Sequence, residues 1–324
     1  KFSSILVETV DTVRTTFLLK AMMGIGRPCL FVGETGTSKS VTVNNFLLVQ
    51  DAEKTLTQTI CLSSATSSKD LQANLEENLE KRTKGVYGPS SGRNLICFVD
   101  DLNMPKIDSY GTQQPNAILK FVIERGEIYN RDPKDLSLRQ IKDMRYVAAM
   151  KPPSSGANVI DPRFISLFNC FNVIFPEETA LKSIYHQMLM GHAQKLNSVL
   201  QDTAATLTTV TLELYNSITE KMPPTPTKFH YIFNLRDLSR LYEGMMQATP
   251  DKFKEEKEFI KLWRNESLRI FYDRLITDAD KEFVTGKIEE LVGANYAESA
   301  EYVMADPLVF GDYCNMNAEV GEGQ

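Results

Sequence analysis

Eight consecutive residues near the start of the chain have the types and the spacing of a phosphate-binding loop. They are Gly33-Glu34-Thr35-Gly36-Thr37-Ser38-Lys39-Ser40. Glycines let backbone N–H groups converge on phosphate oxygens, and a helix that begins after the loop adds a favourable dipole. In this pattern Lys39 reaches the outer phosphates and Ser40 ligates Mg²⁺. The run predicts a site for ATP or ADP with Mg²⁺; the alternative is a glycine-rich turn with an incidental lysine.

Ser38 stands where the phosphate-loop pattern has glycine. A side chain at this position crowds the phosphates, and a positive φ there would strain any residue other than glycine. We expect nucleotide binding to survive this replacement.

A second, acidic motif follows an apolar run. Leu95-Ile96-Cys97-Phe98-Val99-Asp100-Asp101 predicts a buried strand that ends in two carboxylates. After a phosphate-binding loop, such a strand places Asp100 beside Mg²⁺ and Asp101 near the attacking water. A strand that ends in Asp-Asp is by itself most often a solvated turn, so the motif depends on the loop upstream. The sequence thus predicts Asp100 as a metal ligand and Asp101 as a catalytic carboxylate.

A parallel sheet is needed to bring the two motifs together, and the first half of the chain predicts one. Its short apolar runs are residues 29–32, 56–62, 95–99, 145–150 and 171–175. Helical patterns lie between them at residues 41–48, 69–84 and 115–124. Strands that alternate with helices indicate an α/β fold, with a parallel five-stranded sheet flanked by helices.

After Pro176 the pattern changes to helices alone. The predicted helices are residues 178–199, 206–221, 235–246, 252–276 and 279–292. We therefore expect a large α/β nucleotide-binding subdomain at residues 1–176 and a small all-helical subdomain at 177–311. Residues 312–324 are expected to begin a linker.

Composition excludes some classes of partner. A net charge of -6 argues against nucleic acid, because phosphate backbones are held by clustered Lys and Arg. The longest apolar runs are strand-sized, so we predict no segment that crosses a membrane.

The cysteines occur singly, at Cys29, Cys61, Cys97, Cys170 and Cys314, which is typical of buried thiols in a reducing compartment. The chain has no initiating Met, and we expect it to be part of a longer protein.

Further stretches carry a family resemblance. They include Phe98-Val99-Asp100-Asp101-Leu102-Asn103-Met104-Pro105, Tyr110-Gly111-Thr112-Gln113-Gln114-Pro115, Asp161-Pro162-Arg163-Phe164, His230-Tyr231-Ile232-Phe233-Asn234-Leu235-Arg236-Asp237 and Glu266-Ser267-Leu268-Arg269-Ile270-Phe271-Tyr272-Asp273-Arg274-Leu275. With the two nucleotide motifs they resemble the dynein heavy chain, most of all the third AAA+ module of the axonemal branch. The resemblance covers nearly the whole chain and implies the P-loop AAA+ fold.

The resemblance implies roles for residues that spacing alone does not assign. Arg163 matches an arginine that points into the nucleotide site of the preceding module in such rings. Arg236 matches the sensor-2 arginine, which touches the γ-phosphate. Both roles suit the planar guanidinium fork, and the alternative for each is a surface ion pair.

Two replacements in the family pattern predict slow or absent hydrolysis. Most active AAA+ ATPases have Glu where this chain has Asp101, which is one methylene shorter. Lys151 stands where cytoplasmic dyneins carry an Asn that positions the attacking water, and Lys cannot accept a hydrogen bond.

The resemblance implies a nucleotide-gated regulatory module of an axonemal dynein, which moves toward microtubule minus ends. The expected partners are the neighbouring AAA+ modules of the same heavy chain, and the microtubule through the whole motor. The expected location is the cytoplasm and cytoskeleton, in the axoneme of a cilium or flagellum. Two alternatives stay open: an autonomous ATPase with Asp101 as a competent base, and a module that holds ADP permanently.

Overall fold

A computed structural model describes residues 7–132, 134–153 and 157–311. Contacts divide the chain between Pro176 and Glu177 into two units. Both nucleotide motifs lie in the first unit, and the second is built from helices. The predicted linker start at residues 312–324 lies outside the described residues.

The main sheet of the first unit consists of parallel strands. In chain order the strands of the unit are β1 (Cys29–Val32), β2 (Thr55–Cys61), β3 (Leu79–Thr83), β4 (Val86–Pro89), β5 (Asn94–Asp100), β6 (Glu127–Tyr129), β7 (Leu138–Ile141), β8 (Met144–Met150) and β9 (Asn169–Asn172). The main sheet has the order β2-β5-β8-β1-β9, and every pairing in it is parallel. Each of its five strands overlaps one predicted strand, so the predicted five-stranded parallel sheet is confirmed.

Helices cover both faces of this sheet. They are α1 (Val10–Gly24), α2 (Lys39–Leu48), α3 (Ser68–Glu76), α4 (Gln114–Arg125) and the single turn α5 (Pro162–Ile165). Successive strand residues point to opposite faces, and Leu30 lies in a core cluster with α3 and α4 residues while Phe31 lies in a cluster with α1 and α2 residues. The central strands β1, β5 and β8 are therefore buried on both faces, as their apolar runs predict, whereas the edge strands β2 and β9 are more exposed.

The helix predicted at residues 69–84 is wrong in its second half. Helix α3 ends at Glu76, and the chain continues as β3, which pairs with β4 in an antiparallel hairpin. Gly85 turns the hairpin with a φ of 76°. Strands β3, β4, β7 and β6 form a second, four-stranded sheet. Pairing in the hairpin, which is extended by the distant strand β7, thus overrides a locally helical sequence.

Two of the four described cysteines are buried and two are exposed. Burial raises the pKa of Cys29 and of Cys97 to about 12, so both stay protonated. Cys61 and Cys170 are exposed, which corrects the expectation of buried cysteines throughout. Cys314 lies outside the described residues.

The second unit is a cluster of packed helices. They are α6 (Glu178–Ala193), α7 (Ser198–Lys221), α8 (Leu235–Met245), α9 (Glu256–Ser267), a π-helical turn (Leu268–Tyr272), α10 (Asp278–Asn295) and α11 (Ala300–Met304). The predicted helix 178–199 is too long, because Asn197 is extended and its side chain caps α7. The predicted helix 252–276 starts too early and ends too late. Trp263 is fully buried at the centre, where its indole N–H donates to the Thr211 hydroxyl at 2.8 Å.

Among the described residues, no helix is both long enough and apolar enough to span a bilayer.

Candidate nucleotide-binding site

The predicted phosphate loop joins the carboxyl end of β1 to the start of α2. Gly33 follows the strand directly, and its N–H donates to the Met150 carbonyl at 3.2 Å. A Cβ added to Gly33 would lie 2.3 Å from the Val173 carbonyl oxygen, closer than any side chain tolerates. The loop therefore starts where only glycine fits. Glu34 is exposed, Thr35 is half-buried and Thr37 is buried with its hydroxyl donating to the Glu34 carbonyl at 2.8 Å.

The loop has two left-handed backbone positions. Gly36 has a φ of 93°, and Ser38 has a φ of 59° and a ψ of 11°. Residues of alternating backbone hand turn successive N–H groups inward, which forms an anion-binding nest. Glycine adopts this conformation without cost, whereas a serine Cβ is crowded there. Ser38 thus has the positive φ that the sequence pattern reserves for glycine.

Lys39, the first residue of α2, extends back over the loop. Its ammonium donates to the carbonyls of Gly33 and Glu34, each at 2.7 Å, and to the Thr37 hydroxyl at 3.1 Å. The side chain is therefore held inside the curve of the loop, where it places a positive charge. Ser40 is half-buried in the first turn of α2. This arrangement suits a bound polyphosphate.

The acidic motif ends β5 as predicted. Asp100 is the last strand residue and is half-buried, and its carboxylate accepts the Asp101 N–H at 3.0 Å. Asp101 is exposed and has a φ of 55°, a conformation that Asp tolerates better than most residues. Burial, together with the charges of Asp100 and Asp101, raises the pKa of the neighbouring Cys61 thiol. The field at this strand end is therefore negative, which favours a cation.

The sheet brings the two motifs to the same edge. Strand β8 lies between β1 and β5, and all three run parallel, so their carboxyl ends meet. Lys151, the residue after β8, is half-buried, and it follows the strand that lies between β1 and β5. Ser40 and Asp100 supply a hydroxyl and a carboxylate oxygen, the donors that Mg²⁺ prefers. These residues fit a Mg²⁺-nucleotide, with Ser40 and Asp100 toward the metal and the loop N–H groups and Lys39 toward the phosphates.

A buried polar network behind the acidic motif escaped the sequence analysis. Asn103 is fully buried, and its side-chain N–H group donates to the Lys151 carbonyl at 2.8 Å. The side chain of Asn116 donates to the Leu102 carbonyl at 3.0 Å, and that of Gln113 donates to the Pro105 carbonyl at 2.7 Å. The network fixes the loop after Asp101 against the end of β8. In the sequence these three amide side chains lie within apolar or turn-forming stretches, and that position does not reveal that they are buried.

Arg163 lies in the single-turn helix α5 of the first unit and is exposed. Asp161 caps this turn by accepting the Arg163 N–H at 3.0 Å, and it pairs with Lys120 at 2.9 Å. The hydrogen bonds from the Lys120 side chain and the Arg163 backbone lower the pKa of Asp161. The turn is thus pinned by its cap, which leaves the Arg163 side chain at the surface.

Arg236 belongs to the second unit, in the first turn of α8. It is exposed, and its N–H donates to the Asn234 side chain at 2.9 Å. Asn234 and Asp237 form a reciprocal capping box around it. The first turn that carries Arg236 is therefore well ordered.

Comparison with protein families decides the assignment of the chain. Residues 1–176 match the P-loop containing dynein motor region, and residues 185–281 match the dynein heavy chain ATPase lid domain. The chain belongs to the dynein heavy chain family. The predicted P-loop AAA+ fold is confirmed, and the predicted small all-helical subdomain is consistent with the matched lid domain. The match does not distinguish the third module from the others.

Individual dynein heavy chains are similar over nearly the whole chain. The Dynein-1-alpha heavy chain of the flagellar inner arm I1 complex of Chlamydomonas reinhardtii is 49% identical over 100% of this chain. Human dynein axonemal heavy chain 10 is 48% identical over 97% of it, and mouse dynein axonemal heavy chain 2 is 35% identical over 96%. The chain spans 7% of the length of each of these relatives. These relatives are axonemal or flagellar, in keeping with the axonemal location predicted from the sequence.

Proposed function

We propose that this chain is a nucleotide-gated regulatory module of an axonemal dynein, the third AAA+ module of its ring. The module binds ATP or ADP with Mg²⁺ and hydrolyses ATP slowly. The identity of the bound nucleotide sets how strain passes around the ring during microtubule motility toward the minus end.

One observation carries this proposal: the elements for binding share a sheet edge with residues that are poor at chemistry. The loop of Gly33 to Ser40 would bind the phosphates, and Ser40 and Asp100 would bind Mg²⁺; the loop and Asp100 lie at the same edge of the sheet. Beside them, Asp101 is a short carboxylate with a left-handed backbone, and Lys151 occupies the end of β8 where an amide would position the water. A misplacement of about 1 Å lowers rates strongly in positioned catalysis, so binding outlasts hydrolysis here.

Two arginines would link the site to the rest of the ring. We assign Arg236 to the γ-phosphate, where it would report ATP against ADP, and Arg163 to the nucleotide site of the preceding module. Both guanidinium-bearing residues are exposed and stand on capped helical turns, so each is available to a planar phosphate group. The partners in this proposal are the neighbouring modules of the heavy chain and, through the whole motor, the microtubule.

Single-turnover hydrolysis tests the proposal. The 324-residue chain, in excess over radiolabelled ATP, is mixed with that ATP and Mg²⁺. The rate of ATP hydrolysis is compared with that of the Lys39→Ala variant. We expect tight binding and a rate far below about 1 s⁻¹, the lower end of ordinary turnover. A rate near that value that Lys39→Ala removes would establish an autonomous ATPase instead. ADP that survives purification and does not exchange would support a permanently ADP-filled module.

Lys39→Ala also tests the site itself. Removing the ammonium from the loop is expected to weaken ATP and ADP binding by about a hundredfold, since a charge-assisted contact to phosphate is lost. Lys54→Ala, which removes an exposed lysine that pairs with Asp51, serves as the matched control. Equal affinities in both variants would show that the loop is not the nucleotide site.

A further inference from the structure

Arg274 of the second unit contacts two backbone carbonyls and an aromatic ring near the start of α8. Its guanidinium donates to the Ile270 carbonyl at 3.0 Å and to the Ile232 carbonyl at 3.3 Å. It also lies over the Phe233 ring, with 5.1 Å between the guanidinium carbon and the ring centroid. The side chain is half-buried, with 26% of its surface exposed. Arg274 therefore contacts the segment just before α8 both by a hydrogen bond and through an aromatic ring.

The same guanidinium also forms an ion pair with Asp237, in the first turn of α8. The two side chains form a forked pair, with distances of 2.6 Å and 3.4 Å between nitrogen and carboxylate oxygen. Asp237 is buried, and its carboxylate also accepts the Asn234 N–H at 3.0 Å, which closes the capping box. A buried carboxylate requires such partners, because an unpaired charge is costly to bury. The position of the turn thus depends on Arg274.

Arg236 sits between the two capping residues, directly before Asp237. Consecutive helix residues point about 100° apart, so Asp237 faces inward to Arg274 while Arg236 remains exposed. The Arg236 N–H is fixed by Asn234, and the next residue is fixed by Arg274. The backbone that aims the Arg236 side chain is therefore clamped on both sides.

We propose that Arg274 is a positioning residue that acts through Asp237 to aim Arg236, and so sets the preference of the module for ATP over ADP. This inference rests on the proposed function, in which Arg236 contacts the γ-phosphate. Arg274 itself contacts no phosphate in this scheme. A loose first turn of α8 would lose backbone freedom when Arg236 binds ATP, whereas a turn already held by Arg274 loses less, which favours ATP. ADP has no γ-phosphate and gains nothing from the clamp.

A purely structural ion pair would behave differently. Loss of such a pair lowers the stability of the second unit and leaves the ratio of ATP to ADP affinity unchanged. A matched control is an ion pair that lies against the other end of α8. Arg269 of the π-helical turn pairs with the buried Glu266 of α9, with distances of 3.0 Å and 2.5 Å between guanidinium nitrogen and carboxylate oxygen. Glu266 packs against Gly244, where an added Cβ would lie 1.9 Å from the carboxylate.

The experiment compares Arg274→Gln and Arg274→Lys with Arg269→Gln in the 324-residue chain. Calorimetry measures the dissociation constants for ADP and for the slowly hydrolysed analogue ATPγS, both with Mg²⁺, and circular dichroism measures the melting temperature. We expect Arg274→Gln to weaken ATPγS binding about tenfold while ADP binding changes by less than about twofold. Arg274→Lys keeps the charge without the fork, so about a threefold loss is expected. Arg269→Gln is expected to lower the melting temperature and to leave the affinity ratio unchanged.

A double-mutant cycle with Arg236→Ala separates the possible results. If Arg274 acts through Arg236, Arg274→Gln has no further effect on ATPγS binding once Arg236 is Ala. Independent, additive losses would overturn the inference, as would equal losses for ATPγS and ADP. An Arg236→Ala variant with an unchanged affinity ratio would also overturn it, while leaving nucleotide binding by the loop intact. Failure of the proposed function appears separately, as unchanged binding in Lys39→Ala.

Discussion

Ser38 shows how much a single position decides in a phosphate-binding loop. Its φ of 59° is the conformation that the loop requires, and serine adopts it against the clash of its Cβ. Asp101 at the end of β5 likewise has a left-handed backbone, with a φ of 55°. Both residues follow strands whose carboxyl ends lie at the same edge of the sheet, so each of the two motifs of the proposed site contains a left-handed residue.

Ser38→Gly is expected to stabilise the chain and to tighten nucleotide binding. Relief of the left-handed serine outweighs the added freedom of glycine in the unfolded chain, for a gain of about 0.5–1 kcal/mol in the free energy of unfolding. Denaturant unfolding measures the stability, and calorimetry measures the ADP affinity. Ser91, which is exposed and has a φ of 57°, provides the control. Ser91→Gly should give a similar stability gain with no change in affinity; tighter ADP binding in it would refute the explanation.

Asp101→Glu is expected to raise single-turnover hydrolysis about tenfold, because general bases contribute strongly once they reach the water. The structure adds a cost that the sequence did not reveal. Glu tolerates a left-handed backbone less well than Asp, so the variant should lose about 1 kcal/mol of stability. Asp101→Asn, which keeps the shape without the charge, is the control and should not gain activity. A flat rate in Asp101→Glu would place the defect at Ser38, Lys151 or an absent neighbour.

At the scale of elements, the first turn of α10 is fixed by one acidic residue. Asp280 accepts hydrogen bonds from the Lys228 ammonium, the Thr277 hydroxyl and the Tyr231 hydroxyl. Burial alone would raise the pKa of Asp280, but these hydrogen bonds outweigh burial and hold the pKa below its ordinary value. The carboxylate therefore ties the segment of residues 228–231 to the start of α10.

Asp280→Asn should destabilise the second unit in a pH-dependent way. Because the folded pKa lies below the unfolded value of 3.8, the stabilisation by Asp280 is fully present at neutral pH. It is lost as the pH falls below that value toward the folded pKa. We expect a loss of about 1.5 kcal/mol in the free energy of unfolding at pH 7, the lower end for hydrogen bonds to charged groups, and a smaller loss at pH 3. Thermal unfolding at both values measures it, with Asp278→Asn, an exposed acid in the same turn, as the control. A loss that is equal at both values would contradict this account.

For the whole molecule, the proposal predicts that ATP and ADP differ in how far their effect extends. Hydrogen exchange of the 324-residue chain should show slower exchange at the loop of residues 33–40 with either nucleotide. Amides at the start of α8, near Arg236, should slow only with ATPγS, because only it offers a γ-phosphate. Removal of Mg²⁺ with EDTA should weaken both effects, since Ser40 and Asp100 then lose their bridging ion. If ADP slowed exchange at the start of α8 as much as ATPγS does, the assignment of Arg236 to the γ-phosphate would be contradicted.

Much of the molecule follows from local sequence. The central strands β1, β5 and β8 are short, buried, mainly apolar runs, and β1 was predicted with its observed bounds. The phosphate loop is equally local, because a strand, a glycine-rich turn and a helix start follow one another within about a dozen residues. Asp100 was placed correctly at the end of β5 for the same reason.

Tertiary structure decided what depends on distant partners. The composition of residues 79–83 favours helix. They form a strand because they pair with β4, and β4 pairs in turn with β7, which lies beyond β5 and α4 in the chain. Burial of Asn103 depends on the Lys151 carbonyl, which lies far along the chain. The link from Arg274 through Asp237 to the turn of Arg236 likewise joins residues that only folding brings together. The sequence by itself determined which residues can bind a nucleotide; only the fold decided how those residues are held, because positioning depends on contacts that no local pattern encodes.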